Sequence, residues 1–319
     1  MIRTAECITP HHPDKICDRV SDAILDACLE QDPLSRVAVE TMGGHRKIVI
    51  MGEITTNASV DIPAVVRSVY DDVDDITVHV VKQSNFISQG VDTGGAGDQG
   101  IMVGYACDDN EQMIPQELYL ARDLCQLLYE TYPFDGKTQV TLDRGAITAV
   151  VASFQNAPAT DLDQLIRGWL QEGNRLVAPT LEVHCNPAGD WEVGGFDADT
   201  GLTGRKLVVD NYGPRVPIGG GAFSGKDPSK VDRSAAYMAR RIAVDYLNSH
   251  NAHEVYVYLA YAIGHPAPVQ ATAIVDGVSH QVEEYDLTPQ GISDLLELKQ
   301  PRYRQTADWG HFGNGFIWG

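Results

Sequence analysis

Apolar and polar positions along the chain fall into a pattern that recurs three times: an amphipathic helix, a hairpin, then a second helix. In the first block, residues 13–31 place Ile16, Val20, Ile24 and Ala27 on one helical face. Asp18, Arg19, Asp22 and Asp26 lie mostly opposite. Two strand-like runs follow at 36–42 and 47–55, with Gly43-Gly44 as the predicted turn. A helix near 62–73 and a strand at 76–81 close the block.

The second block predicts a helix at 116–131 and strands at 138–142 and 147–154 turning at Arg144-Gly145. A helix at 161–172 and a strand at 181–185 complete it. The third predicts a helix at 228–249, strands at 254–263 and 269–275 turning near His265-Pro266, and a helix at 289–298. A period near a hundred residues is too long for a solenoid. The expected fold class is therefore α+β: three similar layers, each a sheet covered on one face by helices. The expected divisions are residues 1–90, 91–196 and 197–319, with elements free to interleave. Residues 83–100 and 194–230 interrupt the pattern, and long irregular segments in compact domains are often functional.

Composition narrows the function. Of 319 residues, 43% are apolar and 21% charged, which suits a water-soluble globular chain. No apolar run approaches the roughly 20 residues a membrane span needs. The first residues hold no apolar signal core, so a cytoplasmic protein is expected. A net charge of −20 argues against nucleic acid and anionic membrane as partners. The cysteines (Cys7, Cys17, Cys28, Cys107, Cys125, Cys185) form no CxxC pair, so free thiols are expected rather than zinc ligands. Lysine is scarce. Lys15, Lys137, Lys206, Lys226 and Lys230 nevertheless lie in turn-like segments rich in glycine, proline or aspartate, a placement that suits binding of an anion as well as ordinary exposure.

Two glycine motifs need care. Gly95-Ala96-Gly97-Asp98-Gln99-Gly100 has dinucleotide spacing, but the residues after it, from Ile101 to Ala106, read as a strand where that motif needs a helix. Gly220 to Lys226 has P-loop spacing, yet Asp227 stands where a magnesium-binding Ser or Thr belongs. Asp227-Pro228 predicts a helix start beside this loop, a place where backbone N–H groups and a lysine can hold phosphate. His12-Pro13-Asp14-Lys15 predicts a second such start. Asp14 and Asp232, each near a helix N-terminus with lysine close by, suit magnesium shared between protein and phosphate. Plain complementarity to the helix dipole and a capping histidine are the simpler readings of Asp14 and His12.

His12-Pro13-Asp14-Lys15, Gly52-Glu53-Ile54-Thr55-Thr56, the stretch Gly95 to Gly100, Thr203-Gly204-Arg205-Lys206 and the string from Gly219 to Ser234 together resemble S-adenosylmethionine synthetase. The motifs occur in the family's order over nearly the whole chain. The resemblance implies three α+β domains about a pseudo-threefold axis. It implies in-line attack of the methionine sulfur on C5′ of ATP, followed by hydrolysis of the released triphosphate to phosphate and diphosphate.

The same resemblance implies the site. His12, Lys137, Arg205 and Lys226 correspond to catalytic residues. Asp135, Lys137, Trp191, Asp199, Arg205, Lys206, Ala222 and Lys226 correspond to the ATP site. Glu53, Gln83, Asp98, Asp199, Lys230 and Ile263 correspond to the methionine site, with Glu6 a lesser pocket residue. Asp14 and Asp232 are the implied ligands of two Mg2+ ions, and Glu40 of K+. ATP and L-methionine are the implied substrates. A homodimer with shared active sites is implied, with a tetramer as a further step. Some residues depart from the pattern. His11 replaces a glycine, Asp190 stands for an arginine beside the aromatic, and the segment after Gln83 is altered and short, which bears on loop gating. An Asp190 carboxylate there is expected to weaken ATP binding. Two other readings remain at this point: a P-loop-like ATPase built on Gly220 to Lys226, and a non-catalytic nucleotide-binding relative.

Overall fold

In the computed structural model, residues 1–83, 94–173 and 175–319 are described. Three four-stranded sheets form the frame. The first holds β1 (Ile2–Ile8), β6 (Gly136–Asp143), β7 (Ala146–Phe154) and β8 (Val177–Cys185) in that spatial order. The second holds β4 (Asp75–Val81), β3 (Lys47–Thr55), β2 (Arg36–Gly44) and β9 (Gly201–Leu202). The third holds β12 (Val278–Gln281), β11 (Gln270–Val275), β10 (Glu254–Tyr261) and β5 (Gly100–Cys107). The fold is α+β, as the pattern predicts. The strand exchange is cyclic: β1, β5 and β9 each lie at the edge of a sheet built mainly from the next third of the chain. Each such strand ties two thirds together through a backbone ladder.

The helices are α1 (Pro13–Leu29), α2 (Ile62–Val69), α3 (Gln116–Thr131), α4 (Ala159–Glu172), α5 (Leu207–Asp210), α6 (Val231–His250), α7 (Pro289–Leu295) and α8 (Tyr303–Thr306). The β5 strand pairs with β10 over its whole length, so the GxGxxG run opens no helix. One large core joins α1 and α6 to the second and third sheets. A separate core lies under α3 and α4 on the first sheet. Among the described residues, no helix is long and apolar enough to cross a membrane.

Several boundaries differ from the sequence reading. The β2–β3 hairpin turns at His45-Arg46, both with positive φ, and not at Gly43-Gly44. Those glycines lie within β2. A Cβ on Gly43 would stand 2.3 Å from the Phe196 ring, so the position needs a bare backbone. Helix α6 begins at Val231, three residues later than predicted. Asp227 does not cap it. Its carboxylate accepts from the Val37 and Ser229 N–H groups and pairs with Lys230. The β11–β12 hairpin at Asp276-Gly277 is an additional element beyond the sequence pattern.

The largest departure is on α1. Asp18 and Asp22, on the polar side of the helical pattern, are fully buried. That side packs against the last third of the chain, so its charges meet partners instead of water.

Candidate active site

The first cluster of candidate residues gathers at the N-terminus of α1. His12 is its N-cap, and its Nδ1 accepts the Asp14 N–H at 3.2 Å. Burial and the nearby Lys206 and Lys137 cations push the imidazole down to about 3. The ring is therefore neutral near pH 7, and the hydrogen-bond pattern assigns its proton to Nε2. Asp14 Oδ2 lies 3.9 Å from Nδ1, but with a neutral ring this is a dipolar contact and not an ion pair.

The Asp14 carboxylate is buried and fully engaged. Oδ1 accepts from the Leu202 N–H at 2.9 Å and faces Arg205 Nε at 3.1 Å, while Oδ2 pairs with Lys206 Nζ. Burial works against ionisation, but the Lys206 hydrogen bond and the Leu202 N–H outweigh it and hold the group below the usual carboxylate range. Lys137, on the exposed side of β6, and Asp199 both act electrostatically on His12, which places them in the same cluster. Asp199 caps the Thr200 N–H at 2.7 Å. Asp135 is two residues before Lys137, and burial raises its carboxyl. It accepts the Gly195 N–H at 3.0 Å and so anchors the loop that carries Trp191. The half-buried Trp191 ring lies against Gly194.

The second cluster lies where α6 begins. Lys226 Nζ is 2.5 Å from Asp232 Oδ2. Lys226 also bridges to Ala38 of β2. A cavity of about 360 Å³ opens there, and Glu53, Gln83, Asp98, Lys226, Lys230, Asp232 and Ile263 line it with Ala38, Gly97, Ser229 and Val231. The Gln83 Oε1 atom is buried without a partner among the described residues, a state that calls for a donor. Of the residues assigned to methionine, only Asp199 stands apart from this cavity, in the α1 cluster. Ala222 joins the two clusters, because a Cβ on Gly204 would meet the Ala222 methyl at 2.4 Å.

Other candidates fall elsewhere. Glu40 is exposed on β2, two residues beyond Ala38, and Glu6 is exposed on β1. Lys15 does not serve an anion site. It is buried and pairs with Asp18 at 3.1 Å and Asp210 at 2.6 Å. The departure at Asp190 has a structural account. Its Oδ1 accepts from the Ala159 N–H at 3.0 Å and from the Asn186 amide at 3.1 Å, so it satisfies the open first turn of α4. The altered segment 84–93 lies outside the described residues. Ala38, Gly97 and Ser229 were missed in the sequence because no side-chain chemistry marks them as lining a pocket.

The donors suit magnesium in kind. Among the described residues no three His, Cys, Asp or Glu side chains converge as a metal cage. Asp14 and Asp232 are instead single carboxylates, each beside a cation. A Cβ at Gly221 would stand 2.2 Å from Asp232 Oδ2 and 2.7 Å from Lys226 Nζ, so a bare backbone leaves room at that carboxylate. Magnesium typically takes one or two carboxylates and fills its shell with water and phosphate. Glu40, on the exposed face of β2, offers a single carboxylate, mono- or bidentate, toward a cation.

Comparison with known proteins adds the chain's relationships. Residues 1–89 match the family model for the S-adenosylmethionine synthetase N-terminal domain, 93–191 the central domain and 193–319 the C-terminal domain. The chain is 43% identical to S-adenosylmethionine synthase 1 of Rhodopseudomonas palustris (strain BisB18), across 99% of this chain and 94% of that protein. It is 41% identical to the S-adenosylmethionine synthase of Desulforudis audaxviator (strain MP104C), across 98% and 93%. Identity to the synthase of Treponema denticola is 40%, across 99% and 94%.

Proposed function

The chain belongs to the S-adenosylmethionine synthetase family and makes S-adenosylmethionine, and from that premise we propose how its residues divide the work. The observation that carries the reading is the cavity beside α6. It gathers Glu53, Gln83, Asp98, Lys230 and Ile263, with the Lys226–Asp232 pair in its wall. Methionine binds here. Its ammonium group meets Glu53, Asp98 and the Gln83 side-chain oxygen, its carboxylate meets Lys230, and its thioether lies by Ile263. ATP lies along the α1 cluster, with adenine on Trp191, Asp199 by the ribose, Asp135 bracing the loop, and the phosphates against Lys137, Arg205, Lys206 and Ala222.

The sulfur lone pair attacks C5′ while the C5′–O bond breaks, leaving a sulfonium and triphosphate. A thioether needs no general base, so the protein's task is positioning and the stabilisation of leaving charge. Neutral His12 donates through Nε2–H toward the leaving oxygen. Lys137, Arg205, Lys206 and Lys226 neutralise the triphosphate, and the same cations suit its later hydrolysis. The family uses magnesium and potassium. Magnesium on Asp14 and Asp232 would spread phosphate charge. Glu40 would hold potassium.

The two clusters belong to a site shared between two copies. The sheet faces free of helices carry exposed Met42, Met51 and Ile101 and half-buried Tyr256 and Tyr258, an apolar surface suited to a second copy. A tetramer would be a further association of such dimers. The divisions 1–90, 91–196 and 197–319 serve as domains bound by the exchanged strands, and the free cysteines fit a cytoplasmic setting. Mixing subunits tests the shared site. His12→Ala and Lys226→Ala chains, each inactive alone, should regain about a quarter of normal activity when mixed and refolded, because His12 of one copy and Lys226 of the other then complete one of the two sites in a mixed dimer. A mixture no better than either parent contradicts it.

A further inference from the structure

Helix α1 carries a carboxylate on each of four successive turns: Asp14, Asp18, Asp22 and Asp26. Each accepts backbone N–H groups from the last third of the chain. Asp14 takes Leu202 N–H at 2.9 Å, Asp18 takes Gly204 N–H at 2.8 Å, and Asp22 takes Gly225 N–H at 2.8 Å. Asp26 takes the N–H groups of Arg302, Tyr303 and Arg304, each at 2.9 Å. The two middle rungs share one design. Gly204 and Gly225 have φ of 78° and 80°, a left-handed backbone that favours glycine. Each is followed at once by a cation of the site, Arg205 or Lys226. Each is closely packed: a Cβ on Gly204 would strike Ala222, and one on Gly225 would lie 2.0 Å from the Val39 carbonyl.

We propose that Asp18 and Asp22 are positioning residues, which set Arg205 and Lys226 by holding the backbone N–H immediately before each. The proposal rests on the phosphate roles given above to those two cations. Neither carboxylate is placed to touch substrate, and both are fully buried. Four residues along a helix advance about 6 Å. One rigid rod therefore holds both cation-bearing loops of a copy at a fixed spacing. Each rung is itself braced. Lys15 pairs with Asp18 and Asp210, and Arg233 grips Asp22 through two nitrogens at 2.7 and 2.9 Å. The rungs also tie the α1 cluster to the α6 cluster, so the distance between them follows the helix and not the loops.

Two double-mutant cycles test this on the full-length enzyme with ATP, methionine and magnesium, reading kcat and each KM separately. Asp18→Ala should lower kcat about 10- to 100-fold and leave the methionine KM within about twofold. It should add nothing to Arg205→Ala, yet multiply the loss caused by Lys226→Ala. Asp22→Ala should show the reverse pairing. Equal, additive losses in both cycles would mean a merely structural role and overturn the proposal. If the alanine variants do not fold, Asp18→Asn replaces them. It keeps the acceptor, so kcat should stay within about threefold, and a loss beyond about 30-fold with native near-ultraviolet dichroism overturns the proposal. Should Arg205→Ala and Lys226→Ala both turn over normally, the phosphate roles themselves fail, which separates that outcome from failure of the positioning alone.

Discussion

Lys226 Nζ and Asp232 Oδ2 stand 2.5 Å apart, six residues from one another, with Gly221 packed against both. In the absence of phosphate the ammonium neutralises the carboxylate proposed to hold magnesium. On the proposed roles, an arriving polyphosphate gives the lysine a stronger anion to meet and would free the carboxylate for the metal. Lys226→Ala should therefore cut turnover by about 10²- to 10³-fold, the loss usual for a group that stabilises developing charge. The circular dichroism spectrum should stay native. Product formation followed by mass spectrometry measures it, and near-normal turnover would contradict the phosphate role.

Asp14→Asn should act in two ways. The neutral amide leaves Lys206 and Arg205 without their counter-charge, which should lower stability in urea by about 1–3 kcal/mol. It should also raise the magnesium concentration for half-maximal turnover by about tenfold or more. An unchanged magnesium requirement would remove Asp14 from the metal site.

His12 makes stability depend on pH in a known direction. Its folded value is about 3 against an ordinary 6.5, so between those values the unfolded chain binds the extra proton. The stability it contributes is complete above about pH 6.5 and is lost as pH falls toward 3. Melting temperatures measured from pH 7 to pH 4 should fall more steeply for the parent than for His12→Asn. Parallel curves would contradict a neutral, buried imidazole.

Arg233 is buried against Asp22, Thr306 and the Tyr237 hydroxyl, and its guanidinium lies over the Tyr303 ring at 4.3 Å. Burial opposes its charge, but Asp22 beside it more than compensates and holds the proton firmly. Arg233→Ala should cost about 3–5 kcal/mol in urea unfolding, since it strands a buried carboxylate. A loss below about 1 kcal/mol would mean that water reaches Asp22 in the variant.

Asp190→Ala should lose about 1 kcal/mol of stability through the α4 terminus. The KM for ATP should change by less than about twofold, because the carboxylate is committed to backbone N–H. A large shift in that KM would return Asp190 to the nucleotide site.

Much of this was legible in the chain because side-chain chemistry and turn chemistry mark it. The Arg144-Gly145 hairpin and helix α3 fall where the pattern puts them. His12 caps α1 as the His-Pro-Asp-Lys string suggests. What stayed hidden depends on contacts between distant segments. The polar face of α1 gives no hint that it is buried, because Asp18 and Asp22 meet their partners some two hundred residues away. Gly43-Gly44 looks like a turn until Phe196 is seen to fill the space over it. Asp227-Pro228 looks like a helix start, but β2 claims the aspartate first. The exchange of β1, β5 and β9 is equally invisible, since a strand's sequence does not name its partner.

The most direct test of the central claim is product analysis. The purified protein is incubated with ATP, methionine, magnesium and potassium, with methionine omitted from a control, and the mixture is read by mass spectrometry. The account predicts S-adenosylmethionine with phosphate and diphosphate, formed only when methionine is present. ADP formed regardless of methionine, or no product from a protein that still binds ATP, would contradict it.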